Sequence, residues 1–284
     1  MFFCQMRPLF ALLTVAILAA VWSGPAAGAG NPETVEIPLK DGGRLKATLY
    51  RPDGKGPFPA VIGLHNCTGL NNRNGVLGTR YKDWGQRLAK VDFAVLLPDS
   101  NGSRGLGSQC GVRKRSIRNE RERVADAEAA RDWLQKQDWV MPDRISLLGW
   151  SSGGIAALWA VRVRPQALEG TDFRSAVAFY PGCRRLSTVA WSARVPTLIL
   201  IGRADDQTSA VACQQMVAGA RGRSARVEIH VYPGAHHDFD HPSRPLQTRT
   251  GLAFSVDGSG RVHSGTHPAA RTDALKRVPA WFER

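Results

Sequence analysis

This 284-residue sequence lacks several features, and each absence excludes a class of protein. No internal repeat and no Pro/Gly/Ser-rich linker divides the chain, so we expect a single domain after the N-terminal segment. The cysteines show no C-x-x-C or C-x-x-H spacing, which excludes the common zinc patterns, and we predict no metal site. No nucleic-acid-binding module is recognisable, so nucleic acid is not an expected partner.

A long apolar run is missing from the mature region, and the one at the N-terminus is too short to span a membrane comfortably. Arg7 precedes the apolar residues 9–21, and Ala27-Gly28-Ala29 follows them. This order is typical of a secretory signal peptide, whereas a membrane span needs about 20 apolar residues. We expect residues 1–29 to be removed near Ala29, with an uncleaved anchor as the alternative. Residues 30–284 then form the mature domain, secreted or periplasmic.

Export changes the interpretation of the cysteines. Cys4 leaves with the signal peptide, and four cysteines remain in a compartment where disulfides form. Four cysteines can pair in more than one way, and sequence alone does not choose among the pairings. We favour Cys67 with Cys110 and Cys183 with Cys213, because each pair is expected on loops at the same end of the sheet.

Acidic residues are in deficit: 24 Asp and Glu face 38 Lys and Arg, for a formal net charge of +14. The densest basic cluster comprises Arg113, Lys114, Arg115, Arg118, Arg121 and Arg123. We interpret this cluster as the solvated face of a helix. Weak attraction to anionic cell-envelope polymers or acidic lipid follows from the charge alone.

Strand and helix patterns alternate along the mature chain. A hairpin around Asp41-Gly42-Gly43 comes first, and the run at 60–64 is continuously apolar, as in a strand buried on both faces. Further strands are expected at 93–97, 145–148, 175–180, 197–201 and 227–232. Helices are expected at 81–90, at about 117–137 and at 268–282, and the glycine-rich segment 251–266 is expected on the surface. The pattern predicts an α/β fold with a mostly parallel central sheet and helices on both faces.

A G-W-S-S-G sequence at 149–153 joins the run at 145–148 to an Ala-rich helix pattern. Such a turn holds its serine, here Ser151, in a strained, exposed position, and only small residues fit two places to either side. Free N–H groups at the start of the helix can stabilise a negative charge on the serine's substrate. Taken alone, the motif equally fits a glycine-rich turn without chemistry.

Two further groups follow the serine at the ends of predicted strands. Asp205 and Asp206 come just after the strand at 197–201, and His236 and His237 just after the one at 227–232. A serine hydroxyl attacks an acyl group when a histidine takes its proton and a carboxylate orients that histidine. In parallel-sheet hydrolases the acid and the histidine follow the serine in this order. The sequence therefore predicts a nucleophile, an acid and a base, with Ser151 as the nucleophile.

Two backbone N–H groups are expected to form the oxyanion hole. One belongs to Ser152, which follows the nucleophile. The other is expected from the loop after the strand at 60–64, where we name Cys67, with Asn66 as the alternate. His65 precedes the serine in the chain, and we interpret it as packing that shapes this loop.

Five segments together resemble the dienelactone hydrolase family of α/β-hydrolases. They are 64–70, 97–100 with Arg104 and Gly105, 149–154, 202–206 and 232–239. The resemblance implies the α/β-hydrolase fold, Asp205 as the acid and His237 as the base. It also implies that Arg104 binds a substrate carboxylate.

The sequence departs from the family pattern at the nucleophile. Well-known members carry a cysteine where this chain has Ser151, and the glutamate that activates that cysteine has no counterpart near Asn66. Asp240 stands near the place of a second substrate-binding arginine. The serine favours ordinary ester hydrolysis over the specialised lactone reaction. Arg104 keeps an acidic ester or lactone open as an alternative substrate, whereas Asp240 argues against a preference for carboxylates.

These observations predict a secreted or periplasmic serine hydrolase that cleaves small carboxylic esters or lactones through an acyl-enzyme. No cofactor is implied. A serine peptidase for small peptides shares every catalytic part and is the enzymatic alternative. A non-catalytic, basic protein that binds the cell envelope is the alternative from another class.

Overall fold

The part of the chain that the computed structural model describes comprises residues 1–2, 31–164 and 171–284. The predicted signal peptide falls almost wholly outside these ranges, together with Cys4 and Arg7. Within the described ranges, no helix combines the length and the apolar character needed to cross a membrane.

The centre of the protein is an eight-stranded sheet. Its strands are β1 (Glu33–Pro38), β2 (Arg44–Tyr50), β3 (Phe58–Leu64), β4 (Ala94–Pro98), β5 (Val140–Trp150), β6 (Ala176–Phe179), β7 (Thr197–Gly202) and β8 (Val227–Tyr232). In space they follow the order β1-β2-β4-β3-β5-β6-β7-β8. The hairpin β1–β2 pairs antiparallel at one edge, and β2 also pairs antiparallel with β4. From β4 onward in the spatial order, through β3, β5, β6, β7 and β8, every pairing is parallel. The predicted α/β fold with a mostly parallel sheet is confirmed.

Helices cover the sheet, which is why its central strands contain so few polar residues. They are α1 (Thr79–Ala89), α2 (Glu122–Leu134), α3 (Ser152–Ala160), α4 (Arg184–Thr188), α5 (Ala210–Ala220) and α6 (Pro268–Phe282). Every residue of β4, β6 and β7 is buried. Strands buried on both faces need cover on both sides, as the continuous apolar runs indicate. The closing helix α6 has the predicted bounds and begins at Pro268 with His267 as its N-cap.

The predicted start of the second long helix is wrong. Helix α2 begins at Glu122, because Arg121 has a non-helical φ of −132° and the Glu122 carboxylate accepts the N–H of Arg118 at 2.7 Å. Residues 113–121 form turns before the helix. The basic cluster is therefore not the solvated face of a helix, and Arg123 is buried.

The glycine-rich segment 251–266 is only partly the surface excursion that its composition predicts. Leu252 and Val262 are buried in a small cluster with Cys67 and Cys110. Strand β10 (Val262–Ser264) pairs antiparallel with β9 (Gln247–Arg249). The segment packs on the loop after β3 because this small apolar cluster gives it a core of its own.

Candidate active site

The turn between β5 and α3 has the strained geometry that its glycines predict. Ser151 has a φ of 53°, which is rare for a residue with a side chain. A Cβ atom on Gly149 would lie 2.3 Å from the carbonyl oxygen of Gly153, and one on Gly153 would lie 1.9 Å from that of Leu64. Both positions exclude any side chain, because such contacts are far inside van der Waals distance.

Ser151, His237 and Asp205 form one hydrogen-bonded chain. The Ser151 Oγ lies 3.0 Å from His237 Nε2, and His237 Nδ1 lies 2.8 Å from Asp205 Oδ2. All three side chains are buried. An ionised carboxylate only accepts hydrogen bonds, so the proton of the neutral ring lies on Nδ1 and Nε2 accepts from the serine hydroxyl.

Neighbouring groups hold the Asp205 carboxylate in place. Its Oδ1 accepts the backbone N–H groups of Gln207 and Thr208 at 2.9 and 2.8 Å. Its Oδ2 accepts the Thr208 hydroxyl at 2.9 Å. The carboxylate of the adjacent Asp206 instead contacts His263. Of the two consecutive aspartates, the structure thus brings Asp205 to the histidine, and Thr208 is a supporting residue that the sequence did not reveal.

The ring of His237 packs against Tyr180, with 4.4 Å between the ring centroids. Tyr180 is buried and donates its hydroxyl to Asp240 Oδ1 at 2.6 Å, and burial raises its pKa well above the usual value. Asp240 also accepts the indole N–H groups of Trp84 and Trp150 at 2.8 Å. Asp240 therefore serves the core behind the serine turn, and this network was not predicted.

The two predicted oxyanion residues, Cys67 and Ser152, line the same cavity as Ser151. Ser152 is the first residue of α3, a position where the N–H has no partner within the helix. The alternate donor, the N–H of Asn66, already bonds to the Tyr81 hydroxyl at 2.9 Å. This geometry favours the N–H of Cys67 over that of Asn66.

Arg123 connects the two segments that carry the predicted oxyanion donors, the loop after β3 and the start of α3. Its Nη2 donates to the carbonyl of His65 at 2.6 Å, and its Nη1 donates to the Ser152 hydroxyl at 3.2 Å. Burial lowers the pKa of Arg123 to about 10, so it remains charged near neutral pH. No sequence pattern indicates this role, because Arg123 belongs to a run of basic residues that are otherwise at least partly exposed.

His65 is buried and its Nδ1 lies 2.7 Å from the carbonyl oxygen of Asn66. Burial and the charge of Arg123 lower its pKa well below the usual value, so His65 is neutral. The contacts are those of a residue that shapes the loop, as its position in the chain suggests.

The cavity beside Ser151 has a volume of about 550 Å³. Apolar side chains supply part of its wall: Ile117, Ile155, Trp159, Phe254 and Val256. Of the described residues, six with cationic side chains also line it, Arg113, Lys114, Arg115, Arg118, Arg184 and Arg185, against one carboxylate, that of Glu120. The basic cluster therefore belongs to the wall of a cavity, where 184–185 joins it from a distant part of the sequence.

Arg104 lies in a short 3-10 turn, Gly102–Arg104. It makes a bidentate ion pair with the buried Asp126, at 2.9 and 2.7 Å, and donates to the Ser100 carbonyl at 3.0 Å. Among the described residues, those lining the cavity do not include Arg104. The structure does not bring it to Ser151, and its contact with a substrate stays a prediction.

Both favoured disulfides are present, Cys67–Cys110 and Cys183–Cys213. The first fixes the loop that carries the Cys67 N–H. The second joins the start of α4 to α5, and Cys183 lines the cavity. Each therefore braces a segment next to Ser151.

Comparison with known proteins gives a consistent result. Residues 45–284 match the model of the dienelactone hydrolase family. An uncharacterized protein of Mycobacterium tuberculosis is 25% identical over 272 residues, which cover 83% of this chain and 89% of the relative.

Solved structures show the same fold. A dienelactone hydrolase-like promiscuous phosphotriesterase from metagenomic libraries aligns with a TM-score of 0.64 at 20% identity, over 90% of this chain and 98% of its own. Esterase 2 of Thermogutta terrifontis aligns with a TM-score of 0.62 at 17% identity, over 90% and 95% of the two chains. The chain belongs to the dienelactone hydrolase family and has the α/β-hydrolase fold.

Proposed function

We propose that this protein is an exported serine hydrolase that cleaves small carboxylic esters or lactones through an acyl-enzyme. The observation that carries the proposal is the hydrogen-bonded chain Ser151–His237–Asp205 at the wall of a cavity. Membership of a family of hydrolases supports it.

The geometry supports a two-step reaction. Ser151 Oγ attacks the carbonyl carbon while its proton passes to His237 Nε2, and the N–H groups of Cys67 and Ser152 stabilise the oxyanion. The ester C–O bond then breaks, and His237 returns the proton to the leaving alkoxide. Water attacks the acyl-enzyme by the same route and releases the acid. Asp205 stays ionised and stabilises the protonated imidazole.

The cavity favours a small substrate that carries negative charge. A volume of about 550 Å³ lies within the range of small-molecule sites. Six cationic side chains against one carboxylate attract a carboxylate or phosphate on the substrate. On this proposal, the anion-binding role that the family resemblance implies for Arg104 falls mainly to these residues.

The disulfides support export. Disulfides persist in oxidising compartments and are rare in the cytosol, and this chain contains two. We accordingly propose that residues 1–29 are a signal peptide and that residues 30–284 form one secreted or periplasmic domain. Mass spectrometry of the exported protein would test the cleavage site near Ala29.

The test of function compares p-nitrophenyl butyrate with a p-nitroanilide of the same acyl group. The wild type should hydrolyse the ester, the Ser151→Ala variant should lose the activity, and the exposed-serine control Ser187→Ala should keep it. Preference for the anilide would favour the peptidase alternative. If the wild type hydrolyses none of the ester, the anilide and an anionic ester, the non-catalytic envelope-binding protein is favoured.

A further inference from the structure

Three side chains outside the cavity form a cluster with the composition of a metal site. Asp206, His236 and His263 each offer one ligand atom, and these atoms all lie within 4.8 Å of one another. All three side chains are half-buried, so an ion from solvent can reach them. Of the described residues that line the cavity, none belongs to this cluster.

We propose that Asp206, His236 and His263 bind a divalent transition-metal ion of the Zn²⁺ type. The proposal is independent of the proposed hydrolase activity. It also goes against the cysteine spacings of the sequence, which predict no metal site, because its ligands are histidine and aspartate from three separate segments.

The donor set fits this class of ion. Zinc sites with two imidazoles and one carboxylate are common, and a water molecule completes the tetrahedron. Zinc–ligand bonds of about 2.0–2.2 Å place the ligand atoms of a tetrahedral site about 3.4 Å apart. A small movement of these half-buried side chains brings the cluster to that spacing. Mg²⁺ prefers an octahedron of oxygen ligands and fits the cluster poorly.

The hydrogen bonds within the cluster leave one of its imidazole nitrogens without a partner among the described residues. Asp206 accepts the backbone N–H of His263 at 2.8 Å and lies 2.7 Å from its Nδ1. The rings of His236 and His263 are 5.5 Å apart between centroids. Within the described part of the chain, the buried Nδ1 of His236 has no hydrogen-bond partner. Among the described residues, this imidazole nitrogen is thus buried without a hydrogen bond, beside the Asp206–His263 pair.

An ion here would join the segments that carry the proposed acid and base. Asp206 follows Asp205, and His236 precedes His237. His263 lies in β10, and Gly265 directly follows this strand. The N–H of Gly265 donates to the carbonyl of His237 at 2.9 Å, which links the strand to the loop that carries the proposed base. Because the ion would lie outside the cavity, its role is to brace these segments.

The test uses untagged, chelator-treated protein with Zn²⁺ alone and Mg²⁺ as the comparison ion. Calorimetry should show one equivalent of Zn²⁺ bound. Thermal unfolding should shift upward by about 5–10 °C at Zn²⁺ a hundredfold above its Kd. The variants His263→Gln and His236→Gln should each lose at least tenfold in affinity. His230→Gln, which changes a histidine on β8 outside the cluster, should bind as the wild type does.

Absence of binding to the wild type would overturn the proposal. Binding by His263→Gln and His236→Gln as tight as that of the wild type would also overturn it. That result would indicate adventitious binding elsewhere, with Asp206 and His263 forming only a hydrogen-bonded pair. Circular dichroism identifies a variant that fails to fold, and Asp206→Asn then takes its place. Co²⁺ binding adds a spectroscopic readout, since a tetrahedral site with nitrogen ligands gives strong visible absorption bands.

Discussion

Replacing Arg123 by methionine should slow catalysis although this side chain does not touch the nucleophile. Arg123 donates to the carbonyl of His65 and to the hydroxyl of Ser152, on the two sides of the proposed oxyanion hole. Methionine keeps much of the volume and removes both hydrogen bonds. Loss of one oxyanion donor costs about 2.7–4 kcal/mol in other hydrolases, or about 100- to 1000-fold in kcat.

Because Arg123→Met displaces a donor without deleting it, we expect kcat to fall about 10- to 100-fold, with KM within about threefold of the wild type. The assay is initial-rate kinetics on p-nitrophenyl butyrate. The control is Arg131→Met, which makes the same change at another buried arginine of α2, one that pairs with Asp132. Equal kcat values for the two variants, or an effect confined to KM, would refute the positioning role of Arg123.

Three further predictions concern Asp205, the cationic side chains that line the cavity, and the buried Asp238. Asp205→Asn should lower kcat by about 10,000-fold because the amide cannot stabilise the imidazolium, and a fall below tenfold in initial-rate ester assays would contradict this. The double variant Arg113→Gln/Lys114→Gln should lower kcat/KM about tenfold for a carboxylate-bearing ester but not for a neutral one, and 1 M salt should abolish the difference. Although burial opposes ionisation, the charge of Arg80 at 2.5 Å helps hold the pKa of Asp238 well below its usual range. As the pH falls, the unfolded chain therefore takes up this proton first, and the free energy of unfolding of the wild type, measured by urea titration, should fall below about pH 4. The Asp238→Asn variant should be less stable at pH 7 by about 3–5 kcal/mol and should lose stability less steeply as the pH falls. An identical pH dependence in the two proteins would contradict that assignment.

Much of the fold could be predicted because its signals are local. Continuous apolar runs indicate strands buried on both faces, and a glycine-flanked serine between a strand and a helix is typical of a nucleophile turn. The bounds of α6 were predictable since a proline stands at its first position. The parallel arrangement also brings the carboxyl ends of the strands to one edge, which is why the acid and the base could be sought there.

The choice within each pair could not be made from the residues themselves. Asp205 and Asp206 are adjacent at the same strand end, as are His236 and His237, and composition does not separate them. The family resemblance chose Asp205 and His237, and the structure places these two in contact with each other. The distinction depends on local turns, such as the one in which the N–H of Thr208 reaches Asp205.

The cationic lining of the cavity and the role of Arg123 depend on contacts between segments that are distant in the sequence. Residues 113–118 line the cavity together with 184–185 and Phe254, which lie far from them in the sequence. Arg123 is unlike its neighbours only because α2 buries it. Charge patterning along a sequence does not reveal such burial.

The most direct test of the central claim is to identify the residue that is acylated. The wild-type protein is treated with a fluorophosphonate probe, digested and analysed by mass spectrometry, beside His237→Ala and the control His230→Ala. We predict one adduct on the peptide that contains Ser151, at a rate sharply reduced in His237→Ala and unchanged in His230→Ala. Modification at another serine, or no modification of the folded wild type, would contradict the proposal that Ser151 is the nucleophile.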